Sequence, residues 1–341
     1  MKRLVVTGPR QAEFEKVEVP ECPVDGVLVQ ASTTAISTGT EMRVFRAIPV
    51  DEAGQFLHER IPFELPTENG YSMVGVVTAK GPQVEAVDVG DRVFVPARHR
   101  QTAAMELARV TPLPDAIPDH EAVFLSILEV AHKAIRQGDP QAGANVVIVG
   151  QGVVGLSLLA YSVVFGWRTA VVDLDPTRLE IARQMGAGLA ASPNDADMAG
   201  QVTEYFGGEG ADIAFEAGSN WAAIRTAMEL TRTDGRVVIV SRHTQKPDFN
   251  PVGHPFLGKR LSLVTSYAYP PDGSRWDYRT SVDLTIDLLA SHRLQIEPMI
   301  THQFDWQQIP EVYRRLDQGD HSIVGAVFNW RDEPESMHGT I

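Results

Sequence analysis

Val146-Val147-Ile148-Val149 runs directly into Gly150-Gln151-Gly152-Val153-Val154-Gly155, and a helical pattern follows. An apolar β run, a Gly-x-Gly-x-x-Gly turn and a helix start, in that order, restrict this stretch to a strand, turn and helix able to cradle a dinucleotide. Glycine clusters alone are common in loops, so the flanking elements carry the argument. Gly150 permits the tight turn, Gly152 lets the backbone approach a pyrophosphate, and Gly155 lets the helix pack on the strand. Val153 and Val154 open the helix whose free N–H groups and positive dipole end would face the phosphates.

A second run, Ala170-Val171-Val172, ends on Asp173. It lies roughly 20 residues past the first glycine, where an acid binding the adenosine ribose is expected. Asp173 predicts NAD over NADP, because a carboxylate repels a 2′-phosphate. Arg178, the nearby cation, falls inside the following helix pattern. The competing reading is that Asp173 and Asp175 only end the strand and cap a helix beginning near Pro176. Asp173 is assigned to the ribose and Asp175 to the cap.

The 341 residues suffice for two domains, and 43% apolar with 22% charged residues is the composition of a globular protein. A net charge of −14 argues against nucleic acid or an anionic membrane as partner. The single cysteine, Cys22, excludes an intrachain disulfide and a cysteine zinc lobe. Neither a signal-peptide pattern nor a membrane-length apolar run is present, so a cytoplasmic location is expected.

Residues 1–121 carry short β runs separated by turn residues, which predicts a compact, mainly β, barrel-like unit. Residues 49–66 read as a long polar loop at the wall of a site. Residues 122–268 alternate strands with helices, which predicts an α/β, doubly wound parallel sheet. Ile213–Gly218 is a strand entering a small-residue turn, so Ala217, and Ser241 after the next strand, should sit on the cofactor edge. Residues 269–341 add a helix near 278–292, another near 309–318, a closing strand at 323–328 and a polar tail.

In this order the elements resemble the medium-chain dehydrogenase/reductase superfamily, with a GroES-like barrel catalytic domain, a Rossmann domain and a C-terminal return to the first domain. The zinc members read Cys-Gly-Thr-Asp-x-His where this chain reads Thr38-Gly39-Thr40-Glu41-Met42-Arg43. They read Gly-His-Glu-x-x-Gly where it reads Gly70-Tyr71-Ser72-Met73-Val74-Gly75. The ligand positions thus hold Thr38 and Tyr71, and a third falls near Ser126. Hydroxyls are poor Zn²⁺ ligands, so no metal is expected; His58, Glu59, Glu68 and Glu129 lack metal-ligand spacing. The Thr-Gly-Thr-Glu and Gly-Tyr-Ser pair resembles a zinc-free branch that includes bacteriochlorophyllide hydroxyethyl and threonine dehydrogenase-like sequences.

The resemblance implies that Thr40 hydrogen-bonds the substrate, unless it only pins its turn. It implies that Tyr71 and Thr38 enter the same cleft, Tyr71 as a hydrogen-bond donor or as a ring filling the vacated metal volume. Arg43 would contact cofactor ribose or phosphate, or pair with Glu41. Glu129 and Lys133 read as a helix salt bridge. His132, His243 and His254 read as loop or surface residues, and Tyr267 and Tyr269 line either the cleft or a dimer seam. The leading expectation is zinc-independent, NAD-linked hydride transfer with a small secondary alcohol or ketone. Quinone or enone reduction, transient oxidation coupled to elimination or epimerisation, and nucleotide binding without turnover are the alternatives. The superfamily also implies a homodimer, with Leu261–Thr265 at the edge of the sheet.

Overall fold

A computed structural model describes residues 1–48, 64–243, 246–271 and 273–331. His58, Glu59, most of the loop expected at 49–66, and the polar tail after Arg331 lie outside the described residues.

The chain opens with β1 (Lys2–Gly8), β2 (Gln11–Lys16) and β3 (Gly26–Ala35), then a helix, α1 (Thr38–Phe45). There follow β4 (Thr67–Glu68), β5 (Met73–Lys80), β6 (Arg92–Val95), β7 (Thr102–Glu106) and β8 (Thr111–Pro112). A short α2 (Asp119–Ala122) and the longer α3 (Leu125–Gly138) lead out of this mainly β part. The alternating region comprises β9 (Asn145–Val149), α4 (Val153–Phe165), β10 (Arg168–Val172), α5 (Pro176–Gln184), β11 (Leu189–Ala191) and α6 (Met198–Tyr205). It continues with β12 (Ala211–Glu216), α7 (Trp221–Leu230), β13 (Thr231–Ile239), α8 (Phe256–Lys259) and β14 (Ser262–Thr265). The chain ends with α9 (Tyr278–Ala290), β15 (His302–Asp305), α10 (Ile309–Asp317) and β16 (Ala326–Asn329).

Strands β9 to β14 form one six-stranded sheet in the order β11-β10-β9-β12-β13-β14, every pair parallel. The order reverses between β9 and β12, which opens a crevice at their carboxyl ends. Side chains of β9 alternate between two cores. Val146 and Ile148 pack beneath α3, α4 and α5, whereas Val147 and Val149 pack beneath α6 and α7. Burial on both faces explains why the strand is continuously apolar.

The second large sheet runs β15-β16-β3-β5-β6-β8, with β7 also on β3. Its strand β16 pairs antiparallel with β3, Val327 opposite Ala35, so the chain end completes the sheet begun at the N-terminus. That pairing carries β3 to Ala35 and delivers α1 to the crevice. The Thr38–Arg43 motif is helical, with Ser37 preceding its first turn. Among the described residues no helix is long and apolar enough to cross a membrane.

Candidate functional site

Two of the three motif glycines, Gly150 and Gly155, are required by backbone conformation or packing, and the third is not. Gly150 has φ +94°, and a Cβ there would lie 2.7 Å from the Gly218 nitrogen. A Cβ on Gly155 would lie 1.8 Å from the Gly150 carbonyl oxygen, inside the helix-strand contact. A Cβ on Gly152 would meet nothing within 4 Å. Protein packing leaves that space open at the start of α4, which has no side-chain cap over Val153 and Val154. Such a helix end presents N–H groups and a positive dipole to an anion.

Asp173 follows β10 on the same edge. Its Oδ2 accepts the Gln151 N–H at 2.5 Å and its Oδ1 the Asp175 N–H at 2.8 Å, tying the glycine turn to the next strand. Asp175 caps α5 by accepting the Thr177 N–H at 2.8 Å, as its spacing from Pro176 predicts. Arg178 lies on α5, with a buried Nε that finds no hydrogen-bond partner.

Across the crevice, the turn after β12 is organised by Glu216, a fully buried carboxylate. Its Oε1 accepts the N–H groups of Gly218 and Ser219 at 2.7 and 2.9 Å. Its Oε2 accepts the Ser241 hydroxyl at 2.6 Å and lies 2.8 Å from His243 Nε2. Ser241 Oγ in turn accepts the Ser219 N–H, and Ala217 donates to the Val149 carbonyl. His243 is thus partnered and largely buried, contrary to the surface reading. Sequence distance hides the pairing, because β13 brings residue 243 beside the end of β12. Glu216 was legible by the same rule as Asp173, a carboxylate closing an apolar strand.

On the mainly β side, Tyr71 faces α1. Burial pushes its phenol up to about 12, Glu41 adds to the rise, and the hydroxyls of Ser37 and Thr40 and the charge of Arg242 act the other way. Tyr71 therefore keeps its proton at neutral pH. Thr38 and Thr40 are both half-buried on the first turn of α1. Ser126, on α3, donates its hydroxyl to the Tyr71 backbone carbonyl at 3.4 Å, while the Tyr71 phenol meets Ser37 and Thr40.

Glu41 does not pair with Arg43. It is buried, accepts the Ser37 N–H at 2.7 Å, and lies 2.9 Å from His99 Nε2 and beside the Tyr313 hydroxyl. His99 Nδ1 meets Thr34 at 2.8 Å. This network holds the N-terminus of α1, and nothing local in sequence announces His99 or Tyr313 as its members. Arg43 instead donates Nη2–H to the Arg242 carbonyl at 2.9 Å, reaching from α1 to the loop after β13.

The remaining candidates sit away from the crevice chemistry. Glu129 and Lys133 pair at 3.1 Å as their spacing predicts, with the Tyr269 hydroxyl added at 2.7 Å. Glu68 is occupied by Arg3 and Arg100. His132 is buried on α3 rather than exposed, its Nδ1 2.9 Å from Ser281 Oγ, because α9 folds over it. His254 is exposed, as expected, and Tyr267 is mostly so.

A family model described as "Zinc-binding dehydrogenase" matches residues 153–286. The sorbitol dehydrogenase of Bacillus subtilis is 25% identical over 93% of this chain and 94% of its own. The (R,R)-butanediol dehydrogenase of Neisseria gonorrhoeae is 28% identical over 64% of this chain and 60% of its own. A short chain alcohol dehydrogenase of Escherichia coli CFT073, solved with NADH, superposes with a TM-score of 0.80. It is 20% identical and covers 96% of this chain and 99% of its own, a likeness that shows the fold.

These matches support the medium-chain dehydrogenase/reductase superfamily, sorbitol and alcohol dehydrogenase-like.

Many members of that superfamily hold zinc, so the donors present here need testing against it. Thr38, Tyr71 and Ser126 supply two aliphatic hydroxyls and a phenol whose proton burial retains. Zn²⁺ selects thiolate, imidazole and carboxylate. The nearby Glu41 and His99 are committed to each other. This donor set does not fit a superfamily zinc site. A nicotinamide cofactor does fit the Gly150–Gly155 edge, where Gly152 leaves the clearance its pyrophosphate would need.

Proposed function

We propose that this protein is an NAD(H)-dependent oxidoreductase that moves hydride between nicotinamide and a secondary alcohol or ketone, without zinc. The open space at Gly152 beside Asp173 carries this reading: it is room that packing does not use, next to an acid suited to a ribose and hostile to a 2′-phosphate. Gly150, Gly152, Val153, Val154 and Gly155 would hold the pyrophosphate, Asp173 the adenosine ribose, with Arg178 at that end of the site. Ala217, Ser241 and Arg43 would line the nicotinamide half. The sugar-alcohol and butanediol dehydrogenases among the relatives favour an alcohol/ketone pair as substrate.

Bound nicotinamide supplies the hydride donor or acceptor. The chain's own residues must orient the substrate and manage the proton. Tyr71, protonated across the working range, can donate a hydrogen bond to the substrate oxygen and stabilise negative charge developing there during ketone reduction. Thr40, whose hydroxyl reaches the Tyr71 phenol, would accept from the substrate hydroxyl and hold it for oxidation, and Thr38 at the start of α1 would be a further contact. The Glu41–His99–Tyr313 network fixes α1 so that these hydroxyls stay aimed. Two copies would pair through β14, the edge strand of the parallel sheet.

The test is a fluorescence titration with NADH and NADPH, followed by a screen of secondary alcohols and ketones on chelator-treated protein with metal content measured. Tight NADH binding and turnover without metal are the expected results. Preference for NADPH with turnover of enones would replace this reading, and activity that tracks one bound zinc would remove its metal-free part.

A further inference from the structure

Arg43 and Arg242 meet at the crevice, and among the described residues no carboxylate forms an ion pair with either. Arg242 Nη1 is buried and makes no hydrogen bond, and its guanidinium carbon lies 6.0 Å from the Tyr267 ring centroid. Burial lowers the pKa of both guanidiniums, and Arg242 and Arg46 lower that of Arg43 further. Arg46 has a carboxylate partner in Asp317 at 2.6 Å, so among the described residues the uncompensated charge belongs to the other two. Arg242 and the Tyr71 side chain lie close enough to influence each other's proton affinity. A buried guanidinium N–H without an acceptor is costly, and two like charges held together add to the cost. A ligand anion reaching the open crevice side of Arg242 would supply the missing acceptor and offset that cost.

The phosphates of the cofactor do not account for it. The pyrophosphate is expected over the N-terminus of α4, and the adenosine ribose at Asp173 after β10. Arg242 follows β13, beyond the β9/β12 reversal, on the half of the crevice that faces Tyr71 and Thr40. Arg43 supports it from behind through the Arg242 carbonyl.

We propose that Arg242, backed by Arg43, binds an anionic group, a carboxylate or a phosphate, carried by the alcohol or ketone substrate. The natural substrates are then hydroxy acids or phosphorylated polyols rather than neutral alcohols. This rests on the hydride-transfer reading above, but the anion site itself can be tested without turnover.

Full-length protein saturated with NAD⁺ is dialysed against labelled inorganic phosphate and, separately, malonate, for the wild type, Arg242→Met and Arg242→Lys. Saturable binding of at least one anion is expected. It should weaken about 10- to 100-fold in Arg242→Met, the scale of a lost charge-assisted hydrogen bond, and less in Arg242→Lys, which keeps the charge without the fork. The NADH dissociation constant should change much less than anion affinity, since the pyrophosphate and adenosine ribose would be held at α4 and Asp173 rather than by the Arg242 guanidinium. Initial rates are then compared for a six-carbon polyol, its aldonate and its terminal phosphate; the better anion identifies which group the site takes. Arg242-dependent anion binding with no turnover of any of the three would support the site and defeat the dehydrogenase reading. Absence of anion binding in the wild type, or loss of NADH affinity in Arg242→Met with anion binding intact, would overturn the proposal. Should Arg242→Met fail to fold, anion binding by Arg242→Lys equal to the wild type, with no preference among the three substrates, would overturn it as well.

Discussion

His243 Nε2 lies 2.8 Å from Glu216 Oε2, joining the ends of β12 and β13 through a buried carboxylate that also receives two backbone N–H groups and the Ser241 hydroxyl. Removing the carboxylate strips the Gly218 N–H of its acceptor and His243 of its carboxylate partner, while the Ser219 N–H keeps its bond to Ser241 Oγ. Glu216→Ala is expected to cost about 3 kcal/mol of stability in urea unfolding, a loss on the scale of a broken buried pair. It should also weaken NADH binding, because Glu216 holds Ser241 and the turn carrying Ala217, both proposed to line the nicotinamide half. An unchanged midpoint would mean that the turn is held by something other than Glu216.

The glycines separate packing from ligand clearance. Gly155→Ala places a methyl into the Gly150 carbonyl and should destabilise the protein by about 3 kcal/mol. Gly152→Ala has open space and an ordinary φ of −77°, so stability should change by about 1 kcal/mol or less. NADH affinity should nevertheless fall at least about ten-fold, through steric conflict with the pyrophosphate. Calorimetry and fluorescence titration on the two variants check this contrast, and equal NADH affinity in wild type and Gly152→Ala would sink it.

Asp173→Ser removes the repulsion toward a 2′-phosphate together with two acceptors for the glycine turn. NADH binding should weaken about ten-fold and the NADPH-to-NADH preference rise, since a hydrogen bond to a charged group is worth about 1.5–3 kcal/mol. Steady-state kinetics with both cofactors decide the point, and an unaltered preference would remove Asp173 from the specificity argument.

Tyr71→Phe should lower kcat about 100-fold if the phenol donates to the substrate oxygen. Because burial pushes that phenol up to about 12, the variant and the wild type should share the shape of the kcat profile between pH 6 and 10, differing in height. A wild-type limb in that range that disappears in Tyr71→Phe would show the phenol titrating and acting as a base.

His132 supplies a stability prediction. Burial, with Arg136 adding to it, lowers its pKa from 6.5 to about 4, so between those values the unfolded chain binds a proton that the folded one refuses. Stability from this group is present above pH 6.5 and is lost as pH falls toward 4, by up to about 3 kcal/mol at 1.36 kcal/mol per unit. The drop in urea midpoint over that interval should be smaller in His132→Gln; equal drops would count against a buried neutral imidazole.

Local order along the chain was enough to place the Gly150–Gly155 turn, the acid closing β10, the alternation of strands and helices, and the Glu129–Lys133 pair. Each of these depends on residues within one or two elements, where hydrophobic period, turn chemistry and helix spacing act directly. Tertiary structure alone decided what joins distant segments. It set His99 and Tyr313 against Glu41, turned Arg43 away from Glu41 to the Arg242 carbonyl, buried His132 beneath α9 and gave His243 its carboxylate. The physical reason is that a buried polar group must find a partner wherever packing brings one, and packing follows sheet order and the return of β16 to β3 rather than separation along the chain.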